Sequence, residues 1–167
     1  MYLSPVNIND FEKYTEWVND LEVGINVCFT AKIISREKEK ELLEKISTDD
    51  KNFAIVDKEN DRVIGNCGFI KTDNINRRAE IGIFIGDKEY WNKGYGKEAI
   101  ELLLDFGFNI RNLNSIMLCV KEFNKRAIRC YKKCGYKRIG VAREACIFGD
   151  RKYGLVYMDI LATEFKV

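Results

Sequence analysis

Two short stretches of the chain combine residue types and spacings suited to chemistry. In the first, Gly94-Tyr95-Gly96 stands between Lys93 and Lys97, just ahead of apolar residues at helical spacing. At a strand-to-helix junction of this kind, consecutive backbone N–H groups are free to converge on an anion, helped by the positive end of the helix and by the two lysines. A diphosphate fits such a loop, and an ordinary glycine-containing start of a helix is the plainer reading. Gly94, Gly96 and Ala99 also satisfy the dinucleotide fingerprint G-x-G-x-x-A, which normally opens a βαβ unit of a parallel sheet. In the second stretch, Asn124-x-x-Ala127-x-x-x-Tyr131 puts Asn124 at the head of a helix and Tyr131 almost two turns later. Asn124 alone reads as a helix cap and Tyr131 alone as a core tyrosine.

The composition limits what such residues can do. The 167 residues contain no histidine, which removes the commonest general base, the usual partner of a catalytic serine or cysteine, and the commonest metal ligand. Six cysteines, Cys28, Cys67, Cys119, Cys130, Cys134 and Cys146, form no C-x-x-C pair, so no metal site is expected. They read as reduced thiols without a basic partner to make a nucleophile, and a cytoplasmic location follows as the default. With 28 Lys+Arg against 26 Asp+Glu the formal charge is +2, which removes the main electrostatic reason to expect nucleic acid and leaves an anionic small molecule open. The N-terminus turns polar at once and no apolar stretch approaches the roughly 20 residues of a membrane span. One proline and no linker-like tract predict a single domain over residues 1–167.

The elements that must position these residues follow from periodicity. A helix capped by Asn9 or Asp10 runs to about Asp20, with Phe11, Tyr14, Trp17 and Val18 inward, and Ser35 caps a charged helix to Ile46. Phe53 to Val56, Arg62 to Ile70 and Ala79 to Ile85 read as an antiparallel meander. The glycine loop then leads into a helix with Ala99, Leu102, Leu103, Phe106 and Ile110 on its stripe. Ser115 to Val120 suits a buried parallel strand, the helix from Asn124 stops at Gly135, and two strands, Tyr136 to Ile147 and Tyr153 to Leu161, turn at Gly149-Asp150. The order βααβββ, αβα, ββ gives an α/β (α+β) fold, with about seven strands and four helices.

The glycine loop, the Asn124 to Tyr131 spacing and this element order together resemble the GNAT superfamily of acetyl-CoA-dependent N-acetyltransferases. Arg77-Arg78-Ala79-Glu80-Ile81-Gly82, Tyr90-Trp91-Asn92-Lys93-Gly94-Tyr95-Gly96 and Cys134-Gly135-Tyr136 look most like the branch with ribosomal-protein alanine and spermidine N-acetyltransferases. The resemblance implies a mixed, mainly antiparallel central sheet with helices on its faces and acetyl-CoA as cosubstrate, without a metal. It also implies that backbone amides from Asn92 through Lys93, Gly94, Tyr95 and Gly96 to Lys97 hold the pyrophosphate. Ile83, Phe84 and Ile85 would pair with the pantetheine arm, Asn124 would touch the cofactor, and Tyr131 would protonate the departing thiolate. Ordinary pKa values of about 10 for tyrosine and 8.5 for a thiol make that transfer uphill by about 2 kcal/mol, which an enzyme tolerates. The superfamily's loop commonly begins with Gln or Arg, where this chain has Trp91.

The acceptor would be a primary amine, either a small molecule or a protein N-terminus, attacking directly in a ternary complex. At pH 7, freeing an amine of pKa about 10.4 costs roughly 4.6 kcal/mol, and an α-amine of pKa about 7.8 only about 1.1 kcal/mol. With no histidine the base is a carboxylate or water, and Glu80 is the leading candidate, because alternation sets Glu80, Gly82 and Phe84 on one face of the strand beside the thioester. An ion pair with Arg77 or Arg78 is its plain alternative. Asp20, Glu22, Glu144 and Asp150 are carboxylates in segments that border the acceptor side in the branch, Glu22 and Glu144 being the substrate candidates. Neither nucleic acid nor membrane is an expected partner, and homodimer formation is open. The rival readings are a non-catalytic CoA-binding module of the same fold and a nicotinamide dinucleotide enzyme.

Overall fold

A computed structural model describes residues 1–27 and 33–166 of the chain; Cys28 lies outside the described residues. Strands β1 (Tyr2–Pro5), β2 (Asn52–Asp57), β3 (Arg62–Asp73), β4 (Arg78–Ile85), β5 (Ser115–Lys121), β6 (Lys137–Phe148) and β7 (Arg151–Leu161) form one sheet in the order β1-β2-β3-β4-β5-β7-β6. Every neighbouring pair is antiparallel except β4 and β5. The expected mixed, mainly antiparallel sheet of seven strands is present. It is not the doubly wound parallel sheet that a dinucleotide fingerprint requires.

The helices among the described residues are α1 (Phe11–Asn19), α2 (Leu21–Gly24), α3 (Arg36–Ser47), α4 (Tyr95–Asp105) and α5 (Lys125–Lys133). The extra helix over the four expected is the single turn α2, which exists because Asp20 Oδ1 accepts from the amides of Glu22 and Val23. Ser35 and Asn124 cap as expected, but the start of α1 differs. A 3-10 turn over Ile8–Asp10 precedes it, and Asn7 caps that turn by accepting from the Asn9 amide, while Asp10 makes no cap bond. The stripe of α4 is also shifted: Ala99, Ile100, Leu103 and Leu104 are buried, and Ile110 is 70% exposed. A π turn over Phe106–Ile110, closed by the Arg111 amide on the Phe106 carbonyl, widens the helical period and swings Ile110 outward.

Helices cover both faces of the sheet. On one, Ala79, Ile81, Ile116, Leu118, Met158 and Ile160 pack beneath α4 and α5. On the other, Val6, Tyr14, Trp17 and Leu43 close over Phe84. Burying each large aliphatic side chain contributes about 1.5–3 kcal/mol, so both faces of β4 are fixed by packing.

β4 and β5 stop pairing part-way along their length. Only three rows are paired, Arg78↔Ser115, Ala79↔Ile116 and Glu80↔Met117. Beyond them β4 follows β3 as far as Gly65↔Ile85, and β5 follows β7 as far as Lys121↔Leu155, so the two strands fork. The β4 prong is held from behind at Gly86, where a Cβ would lie 2.1 Å from the Trp17 ring. Gly86→Ala should therefore destabilise the protein by about 1–3 kcal/mol, read from chemical denaturation, since the backbone or the indole must move.

Candidate active site

The fork opens a cavity of about 350 Å3. Ile83, Phe84 and Ile85 form one wall, Asn124, Arg126 and Tyr131 the other, and Gly94, Gly96 and Lys97 lie across one end. The wall made by β4 offers backbone rather than side chains. Trp91 Nε1–H donates to the Ile85 carbonyl at 2.8 Å, which shows that this carbonyl points away from β3. Two-residue alternation turns the N–H and C=O of Ile83 the same way, toward the fork, where β5 no longer meets them.

The loop at the end of the cavity is anchored from below. Tyr90 hydroxyl donates to Asp57 Oδ2 at 3.0 Å, and Asp87, 8% exposed, caps the turn Lys88–Tyr90 and pairs with Arg62 at 2.7 Å. Gly94, with φ of 91°, then reverses the chain into α4, a conformation that favours glycine. The amides of Lys97 and Glu98 close on the Gly94 carbonyl, and those of Tyr95 and Gly96 form no backbone hydrogen bond among the described residues. A Cβ added at Gly94 or Gly96 would meet nothing within 4 Å. The result is a cradle of unpaired N–H groups at a helix N-terminus with open space above it. Lys97 pairs with Glu101 at 2.5 Å, and Asn92 and Lys93 are exposed on the rim.

On the opposite wall Asn124 does its capping work with Oδ1, which accepts from the Ala127 amide at 3.0 Å, while Nδ2 donates to the Asn26 carbonyl at 3.2 Å. Lys121, 8% exposed, donates to the Ile25 carbonyl at 3.0 Å. These two bonds tie the α2 turn to the β5 prong. Tyr131 is buried to 9% exposure, with its ring 6.0 Å from that of Tyr136, and it lines the cavity.

The carboxylates named from the sequence are not gathered together. Glu80 stands in the last paired row of the fork, and its partner is Lys71, at 2.9 Å, rather than Arg77 or Arg78; Cys119 Sγ donates toward its other oxygen at 3.8 Å. The hydrogen bond from Lys71 to Glu80 raises the pKa of the lysine. Glu22 and Asp20 both pair with Lys88, at 2.8 and 2.7 Å. Glu144, at φ of 51° in a bulge of β6, pairs with Lys152, and Asp150 is exposed in the turn before β7. Sequence reasoning missed Lys121 and Arg126. It also read the cysteines as lacking basic neighbours, whereas Cys130 lines the cavity beside Lys97 and Lys133. The adjacent Cys134 thiol, and then those two ammonium groups, outweigh desolvation and hold the Cys130 thiol below the usual thiol range.

Residues 1–137 match the family of acetyltransferase (GNAT) domains. The chain belongs to the GNAT family. It is 35% identical over 113 residues to an N-acetyltransferase named p20 from Bacillus licheniformis, covering 68% of this chain and 63% of that protein. It is 30% identical over 116 residues to a spermidine N(1)-acetyltransferase of Vibrio cholerae, covering 70% of this chain and 66% of the relative. These matches thus span less than two thirds of either relative's length. Among solved structures, spermidine N-acetyltransferase from Vibrio cholerae in complex with CoA and spermine superposes with a TM-score of 0.88 at 26% identity, covering 98% of this chain and 96% of that one. No helix among the described residues of this GNAT protein is long and apolar enough to cross a membrane.

The thiol in the GNAT cleft yields a direct test. Iodoacetamide attacks the thiolate, so at pH 7 and short exposure Cys130 should be alkylated ahead of Cys67, whose burial pushes its thiol up to about 12. Peptide mapping by mass spectrometry gives the order, and first reaction at Cys67 would contradict the geometry described.

Proposed function

We propose that the protein is an acetyl-CoA-dependent N-acetyltransferase that modifies a primary amine by direct attack within a ternary complex. The observation that carries this reading is the fork itself: a free strand edge at Ile83, an amide cradle that reaches the cavity at Gly96, and a buried tyrosine across the gap. The residues fit acetyl-CoA on structural grounds. The open space over Gly94 and Gly96 admits a diphosphate, the two unpaired amides and the helix end favour its charge, and the edge of β4 suits an arm that contains amides. Acetyl-CoA, when bound, supplies an acetyl group activated as a thioester.

In this reading each residue has a definite task. Amides of the loop from Asn92 to Gly96 hold the diphosphate, with Lys93 adding charge at the rim, while the Lys97 amide closes on the Gly94 carbonyl and its ammonium pairs with Glu101. The backbone from Ile83 to Ile85 binds the extended arm as a neighbouring strand would, and the Ile83 N–H is turned toward the gap, where it can donate to an oxygen that gathers negative charge. Asn124 shapes the far wall by capping α5 and holding the α2 turn. The Tyr131 hydroxyl gives its proton to the departing sulfur. Glu80, at the point where the strands part, takes the proton of the amine, with Lys71 as its counter-ion.

The family match and the likeness to a structure holding CoA and spermine support a small-amine acceptor. With Glu22 and Asp20 already neutralising Lys88, these two rim carboxylates are available to an acceptor cation only if Lys88 is displaced. An acceptor screen that detects released thiol over polyamines, amino acids, aminoglycosides and peptides identifies the amine, and absence of turnover over that panel would favour a CoA-binding module without catalysis.

Two outcomes are expected of the proposed site. Acetyl-CoA at 100 times its dissociation constant should stabilise the fold by about 2.7 kcal/mol, seen as a thermal shift, and NAD at equal concentration should not; a larger shift with NAD would sink the reading. Tyr131→Phe leaves the ring in place, so acetyl-CoA affinity should stay within a few-fold while turnover falls by about 10²–10⁴. Full activity in the phenylalanine variant would remove Tyr131 from the mechanism.

A further inference from the structure

Three arginines of the described chain lie over aromatic rings, and one of them differs from the others. Arg36 over Phe11 pairs with Glu12, and Arg62 over Tyr90 pairs with Asp87 and Glu89. Arg126 over Trp91 has the closest approach, 4.2 Å from guanidinium carbon to ring centroid, and among the described residues no carboxylate pairs with it. Both Arg126 and Trp91 line the same cavity as Gly94 and Gly96.

The platform under this arginine is fixed. The indole of Trp91 cannot turn without breaking its hydrogen bond to the Ile85 carbonyl, at 2.8 Å. Arg126 is the second residue of α5, a helix whose start is set by the Asn124 cap. A guanidinium held over an aromatic face has five N–H donors left for other partners, and two of them can grip a carboxylate or phosphate together. Arg126 lines the same cavity as Gly94 and Gly96, so its guanidinium borders the space that a diphosphate on the loop amides would enter.

We infer that Arg126, presented by Trp91, is a side-chain ligand of the CoA diphosphate and completes from α5 the cradle that the loop amides begin. Trp91 acts as a positioning residue, holding the guanidinium in the cavity mouth. This rests on the reading of the cavity as a CoA site and extends it to a residue outside the glycine loop.

Calorimetric dissociation constants for CoA and for dephospho-CoA, which lacks the 3′-phosphate, test the assignment on folded protein. Arg126→Ala should weaken both ligands alike, by about ten- to a hundredfold, the range expected for a charge-assisted hydrogen bond. Arg126→Lys keeps the charge but loses the planar fork and should fall between. Trp91→Leu should cost about as much as Arg126→Ala and add little in the Arg126→Ala background, because the ring acts through the arginine. If Trp91→Leu fails to fold, Trp91→Phe, which keeps a ring face but not the indole hydrogen bond that fixes it, should fall between wild type and Arg126→Ala. Unchanged affinity in Arg126→Ala overturns the inference, and so does a loss confined to CoA, which would move the contact to the 3′-phosphate. Losses that multiply in the double variant would remove Trp91 as the presenter. Wild-type protein that binds neither ligand would instead defeat the reading of the cavity itself.

Discussion

The structure depends on a competition for backbone hydrogen bonds at one place in the sheet. β4 and β5 are neighbours for three rows, after which each stays with its antiparallel partner, β3 or β7, and neither can follow the other. A sheet that breaks a ladder in its middle would ordinarily leave buried, unpaired backbone groups, a cost of about 1–3 kcal/mol each. The fork avoids part of that cost by opening to a cavity and part by recruiting side chains: Trp91 takes the Ile85 carbonyl, and Lys121 and Asn124 tie carbonyls of the α2 turn to the other prong. What stays unsatisfied, the edge at Ile83 and the first amides of α4, is what an extended polyamide arm ending in a diphosphate can satisfy. In the proposed function, the binding site is the unpaired remainder of the sheet.

Much of this was legible in the sequence because the relevant signals are local. Glycines at a strand-to-helix junction, Ser35 and Asn124 as caps, and period-two runs fix the elements one at a time, and the element order then leaves little freedom of topology. The errors fall where a local rule met a competing one. A 3.6-residue period carries the apolar stripe on to Ile110, and the π turn breaks that period. Asp10 has the right type for a cap, but a 3-10 turn capped by Asn7 displaces the start of the helix. Partners across the fold were the least legible. Glu80 meets Lys71 instead of its chain neighbours because it lies on the β3–β4 ladder, where a bulge between Phe69 and Lys71 sets the register. Nothing in a linear pattern announces that Lys121 reaches the α2 turn or that Arg126 lies over Trp91, since both contacts are made only when the helix of one segment packs beside the loop of another.

Net charge illustrates the same limit in another form. A sum of +2 describes a chain with little electrostatic preference, but α5 contains Lys125, Arg126, Arg129, Lys132 and Lys133 and no acid, so the acids that balance it in the sum belong to other elements. Charges separated by more than the roughly 8 Å Debye length are screened through solvent, so acids remote from α5 do little to neutralise a site there. The near-cancellation is therefore compatible with a locally cationic cleft. It also explains why the cationic residues around the cavity differ in value: Lys97 is already committed to Glu101, so its charge is largely spent within its own helix, and a cation held by an aromatic face keeps both its charge and its donors for whatever enters. In a protein without histidine, where pKa tuning near neutrality is scarce, recognition of an anion has to come from fixed charge and backbone N–H groups. Both are concentrated where the sheet comes apart.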